Sequence, residues 1–126
     1  MFSHIMVGAA DIEASRKFYD AVLGTLGVPP GAADPKGRVW WRTDRGVFGI
    51  TLPIDGEAAS CANGGTIGFA ATTPELANAF HAAGLANGGT AIEDPPGRRE
   101  SPFGALHLAY LRDPAGNKVV AMHHLG

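Results

Sequence analysis

Apolar and polar positions change rhythm several times along the chain, and the changes come in the same order twice. Phe2–Val7 is a short apolar stretch, and so is Thr66–Ala71. Each is followed by a segment of helical period. In the first, Ile12, Tyr19, Val22, Leu23 and Leu26 fall near one face; in the second, Leu76, Ala79, Phe80 and Ala83 do so. Both segments open with capping chemistry. Asp11 precedes the first, with Glu13 in its first turn. Thr73 precedes the second, with Pro74 at the first helical position and Glu75 after it. Gly24 and Gly27, then Gly88 and Gly89, stand where helices of about four turns would end.

The pattern then shortens to strands. Arg38–Thr43 and Val47–Pro53 flank Asp44-Arg45-Gly46, a hairpin signal. Leu106–Arg112 and Lys118–His123 flank Asp113–Asn117, whose sequence is DPAGN. Weaker strands are expected near Val28 and over Ala91–Glu93. Leu52–Gly65 reads as a connection, and Asp94–Pro102 as a polar loop. A shift of 62 residues carries Glu13 onto Glu75, Phe18 onto Phe80, Ala21 onto Ala83, Leu23 onto Leu85 and Gly27 onto Gly89. The chain therefore reads as two strand–helix–strand–strand–strand units in one domain, residues 1–126, with the units over approximately 1–55 and 64–126.

Composition narrows the function classes. A single Cys, Cys61, excludes a disulfide framework and a Cys-based zinc site. It has no basic or His neighbour in sequence and reads as structural. The net charge of −2, with no evident basic face, argues against nucleic acid as a partner. No apolar run approaches the ~20 residues of a membrane span. The start, MFSHIMVGAAD, does not read as a secretory signal, so a cytoplasmic location is expected. The 18 Gly and 9 Pro residues imply many turns and a sheet-rich domain. No phosphate loop, nucleotide fingerprint or nucleophile elbow is present.

The opening HIMVGAADIEASRKFY, the Leu23-Gly24 pair, the closing DPAGNK and the two-unit repeat together resemble the vicinal oxygen chelate superfamily. That superfamily holds glyoxalase I, bleomycin-resistance proteins and extradiol dioxygenases. The resemblance covers nearly the whole chain. It implies an α+β fold of tandem βαβββ units, whose curled mixed sheets surround a cleft with the helices outside. It also implies a small-molecule ligand and a homodimer, with the cleft formed within one chain or across two. A ferredoxin-like dimeric barrel is disfavoured by the two hairpin strands after the second helix.

The resemblance further implies one divalent metal, Zn, Ni, Fe or Mn, held by residues from the first and last strands of each unit. Those ions suit mixed imidazole and carboxylate ligands. His4 stands at the first position, and the shift of 62 puts Thr66 at the second. Aligning Gly46 with Gly116 makes Ile50 and Val120 the last two. Only His4 matches a metal ligand, and such an ion needs roughly three protein donors. No cofactor is expected on this count, with displaced ligands the remaining route to a metal.

His4 is then the candidate acid/base group, since histidine exchanges protons near neutral pH. His107 is a second, placed in the cleft because Leu106, Leu108 and Tyr110 form the more apolar opposite face; Tyr110 is expected under a helix. Of Trp40 and Trp41, one belongs in the core, and the other is free to wall a cleft or lie at a dimer interface. Trp40, Ile50, Thr66, Arg98, Lys118 and Val120 are the candidate ligand-binding residues. Arg98 is included because guanidinium suits anions, although Arg98-Arg99-Glu100 also reads as a solvated loop. Two functions fit. One is an enzyme using proton transfer from His4 and His107. The other is a non-catalytic protein that sequesters a ligand. Bleomycin, a cation, suits this weakly acidic chain poorly.

Overall fold

The computed structural model describes residues 1–126. The first unit holds β1 (His4–Gly8), α1 (Ile12–Thr25), β2 (Ala32–Ala33), β3 (Val39–Thr43) and β4 (Gly46–Thr51). The second holds β5 (Ile67–Ala70), α2 (Pro74–Ala86), β6 (Thr90–Ala91), β7 (Gly97–Ser101), β8 (Gly104–Arg112) and β9 (Lys118–His124). The sheet orders are β1-β4-β3-β2 and β5-β9-β8-β6, with β7 also on β8. In each sheet the first strand runs parallel to the last and forms an edge. Neither sheet closes into a barrel.

The helices form where their caps and periodicity place them. The Asp11 side chain accepts the Ala14 N–H, and the Thr73 hydroxyl accepts the Leu76 N–H. Phe18, Tyr19, Val22 and Leu23 of α1 are buried, as are Ala77 and Phe80 of α2. One core runs through both units. Phe48 lies 4.7 Å from Tyr19 and 5.2 Å from Phe69 between ring centroids, so the aromatic contacts cross from the first sheet to the second. Helix α2 sits close on its sheet because residue 84 is Gly. A Cβ there would come within 2.3 Å of Leu111 Cδ1.

Two expectations change here. Asp94–Pro102 is not a loop throughout, because Gly97–Ser101 pairs with β8. Its Arg98 and Glu100 are exposed while Gly97, Arg99 and Ser101 are half-buried, so its polarity is that of a strand with one solvated face. With β6 it lines the same side of β8, as one interrupted strand. The strand expected near Val28 lies instead at Ala32–Ala33.

Candidate functional site

Each sheet turns one face to the helices and leaves the other free. Ile5, Val7, Val39, Trp41, Phe48 and Ile50 belong to the core side of the first sheet. The strand period of two then puts His4, Met6, Trp40, Val47 and Gly49 on its free face. In the second sheet Ile67, Phe69, Ala109, Leu111, Val119 and Ala121 are core. Thr66, Gly68, Leu108, Tyr110, Lys118 and Val120 therefore share its free face.

This geometry sorts the sequence-derived candidates. His4 is exposed on the free face, with its Nδ1 2.8 Å from Ser3 Oγ and its ring edge-on to Trp40. Trp40 is on that face and Trp41, only 2% exposed, is core. Thr66, Lys118 and Val120 lie together on the free face of the second sheet. Three candidates lie elsewhere. Ile50 is fully buried among the core residues. His107 faces α2, where its Nε2 lies 2.8 Å from Asn78 Oδ1. Arg98 stands opposite His107 in the register, so it shares that side, and its Nε donates to Glu100 at the surface. Tyr110 takes the free-face place expected of His107. Both faces of β8 are apolar enough that alternation alone does not orient it.

The register explains the position of Ile50. Trp40 pairs with Gly49, and Tyr110 pairs with Val120. The residue equivalent to Val120 is thus Gly49, not Ile50. The turn of the second unit, between the paired Arg112 and Lys118, is one residue longer than the turn between Arg42 and Val47. A one-residue slip reverses the face. Gly49 cannot supply a ligand, and the Trp40 ring fills the space above it: a Cβ at residue 49 would lie 2.6 Å from Trp40 ring carbons.

The four positions where the family pattern would hold a metal thus carry His4, Gly49, Thr66 and Val120. That set offers one imidazole and one hydroxyl, too few donors for a stable Zn-type site. Nowhere in the chain do three His, Cys, Asp or Glu side chains gather around one point. The residues present do not fit the family's metal.

Each free face carries a cation over an aromatic ring, held by an acid. In the first unit the Arg38 guanidinium lies 5.5 Å from the Trp40 centroid. Asp34 accepts from Trp40 Nε1 at 3.0 Å and from Arg38 Nε at 2.5 Å. The indole N–H first, then the Arg38 guanidinium and the backbone N–H groups of Arg38 and Lys36, hold the Asp34 carboxyl at about 2. In the second unit Lys118 Nζ lies 4.8 Å from the Tyr110 centroid and pairs with Glu93. Lys118 is therefore already engaged.

The two units pack through α1 against α2, and the sheet edges β1 and β5 approach each other without pairing and in opposite directions: Val7 and Ile67 border one small cavity, and His4 and Ile5 border a larger one with Gly68 and Ala70. At one end of this joint the Asp113–Asn117 turn reaches the first unit. Asn117 Nδ2 donates to the Gly8 carbonyl at 2.9 Å, and Tyr19 Oη donates to Asp113 Oδ2 at 2.6 Å. Asp113 also accepts from the N–H groups of Ala115 and Asn117 and from Asn117 Nδ2. Burial, then the Asp113 charge and this bond, raise the Tyr19 hydroxyl well above its ordinary pKa, so it remains a donor. In the sequence this segment stands out as a turn and as part of the family resemblance; its cross-unit bonds have no signature in composition.

At the other end the shorter turn of the first unit does not reach β5. A cavity of about 600 Å³ remains there, against about 60 Å³ at the joined end. Its walls include Leu26, Val28, Trp41, Phe48 and Phe69, with His4, Thr43, Asp44 and Arg45 toward the mouth. It is the right size for a small molecule. Of the sequence-derived candidates, only His4 lines it.

Comparison with solved structures gives close and distant likenesses. A glyoxalase/bleomycin resistance protein from Albidiferax ferrireducens T118 is 59% identical over 98% of this chain and 99% of its own, with a TM-score of 0.96. A glyoxalase/bleomycin resistance protein/dioxygenase family enzyme from Burkholderia phytofirmans PsJN is 21% identical over 98% of both chains, with a TM-score of 0.71. A lactoylglutathione lyase from Agrobacterium tumefaciens is 19% identical over 97% of this chain and 92% of its own, with a TM-score of 0.66. The two distant likenesses speak for the fold alone. No family model and no curated protein matches the sequence.

Proposed function

We propose, from the premise that the chain belongs to the glyoxalase/bleomycin resistance protein family, that it binds a small molecule without that family's metal. The observation that carries this reading is the set His4, Gly49, Thr66 and Val120, with Trp40 packed over Gly49. A metal enzyme needs an ion to polarise a carbonyl or generate a nucleophile, and this chain supplies one good ligand for it. The cavity between the units, apolar inside and polar at the mouth, supports the binding part of the reading. His4 at that mouth favours a second reading, in which the same molecule is turned over by proton transfer at the imidazole. His107 is bonded to α2 and takes no part in it. A homodimer is proposed as the working assembly, as the resemblance implies.

Metal analysis tests the first reading. The protein is loaded separately with Zn²⁺, Ni²⁺, Fe²⁺ and Mn²⁺ and dialysed, beside His4→Ala. The expected result is well under one ion per chain for both proteins. One ion per chain, lost in His4→Ala, would restore a metal enzyme. With a ligand identified by thermal shift, turnover abolished in His4→Ala with binding retained would favour catalysis; no turnover in either protein would favour sequestration.

A further inference from the structure

We propose that the cavity beside β5 takes a neutral ligand with a flat apolar body and a carboxamide or lactam edge, held by the free backbone of Gly68 and Ala70. This rests on the ligand-binding reading above and names the chemistry of the ligand.

Successive residues of a strand direct their N–H and C=O groups to alternate edges. The Ala71 N–H donates to the Met122 carbonyl of β9. Ile67 and Phe69 therefore bond toward β9, and Gly68 and Ala70 direct their groups the other way. β5 is an edge strand, so those groups face the cavity rather than another strand. No side chain bonds to either residue, and β1 does not pair with β5. Both residues are exposed, so their outward N–H and C=O groups are open to a ligand.

The other end of the joint shows what completes such an edge. There the Ala9 N–H donates to Thr51, which leaves the Gly8 carbonyl directed away from β4. The Asn117 carboxamide donates to it at 2.9 Å. The repeat places Ala70 where Gly8 stands. In the first-unit turn, Gly46 stands where Asn117 does, just before the strand residue paired across the hairpin. Gly46 has no side chain to offer. The cavity thus lacks one carboxamide relative to its internal counterpart, and a ligand amide beside Ala70 would present both donor and acceptor to that residue's C=O and N–H.

The walls set the rest of the molecule. Half-buried Phe69 offers aromatic surface, with the nearly buried Trp41 and Phe48 behind it. The only ionic side chains at the cavity beyond His4 are Asp44 and Arg45, exposed at the mouth and opposite in sign. Nothing inside compensates a charge, so an ionised ligand would lose hydration without a partner.

Backbone amide NMR with benzamide as probe tests this, with benzoate and toluene beside it. Benzamide should move the Gly68 and Ala70 amide signals saturably. Benzoate and toluene should bind about ten-fold more weakly or worse, the worth of a lost hydrogen bond. Replacing Thr43–Gly46 with the five-residue Asp-Pro-Ala-Gly-Asn turn should abolish the benzamide shifts. Val28→Trp, which fills the cavity from another wall, should do the same if the grafted turn prevents folding. Equal binding of toluene or benzoate, no saturation, or shifts confined to the sheet face around Trp40 would overturn the proposal. So would an acetylated, amidated tetra-alanine that binds the same edge more tightly than benzamide, which would mark a strand-docking edge. Failure of the metal-free reading is seen separately, in the ion count.

Discussion

The two ends of the joint between the units are built from equivalent parts and differ in outcome. At the Asp113–Asn117 end, a buried carboxylate gathers three backbone and side-chain donors of its own turn and the Tyr19 hydroxyl of the other unit. At the Thr43–Gly46 end, the turn is one residue shorter, Asp44 and Arg45 are exposed, and a cavity remains. A turn one residue shorter, with Gly46 in the place of Asn117, thus accompanies an open cavity instead of a closed seam. A duplicated fold can reserve one copy of a contact for stability and open the other for function.

The largest test of that contrast is Asp113→Ala against Asp44→Ala. Asp113→Ala leaves several buried donors without acceptors and is expected to cost about 3 kcal/mol or more. Asp44→Ala at the exposed turn should change stability by less than about 0.5 kcal/mol. Urea unfolding of the two variants measures both, and equal losses would break the contrast.

Glycine substitutions in the two helices give a smaller effect with opposite signs. Gly84→Ala drives a methyl group into Leu111 and should cost about 1–3 kcal/mol. Gly24→Ala meets nothing within 4 Å and should stabilise by up to about 1 kcal/mol through helix propensity. Thermal unfolding reads both, and a stabilising Gly84→Ala would show that α2 is not seated directly on its sheet.

The smallest effect is a pH dependence peculiar to the first unit. The Asp34 carboxyl is held at about 2, below its ordinary value, so the unfolded chain takes up its proton first. Its contribution to stability is complete above about pH 4 and fades as pH falls toward 2. Asp34→Asn should flatten that part of the stability curve. An unchanged acid limb would mean that the Trp40–Asp34 bond is not maintained in solution.

Much of the fold is legible in the residues. Asp11 and Thr73 announce helix starts because a side-chain oxygen there satisfies an otherwise unpaired N–H. The repeat gives two units because Glu13 and Phe18 recur in role as well as identity, although the left-handed turn made by Gly27 falls to Gly88 rather than Gly89. The site is less legible. Ile50 stands in for Gly49 when turns of unequal length are aligned, and His107 exchanges faces with Tyr110 because β8 is apolar on both sides. Asp94–Pro102 hides a strand because its outward residues are charged.

The sequence by itself determined the two helices, the main hairpins and the duplication, because caps, periodicity and residue type act over a few neighbouring positions. Only the tertiary structure decided which residues share a face, that Trp40 covers Gly49, and that Asn117 closes one end of the joint while the other stays open. Those facts depend on strand register and on contacts between residues about a hundred positions apart, such as Gly8 and Asn117. Local pattern carries no record of either.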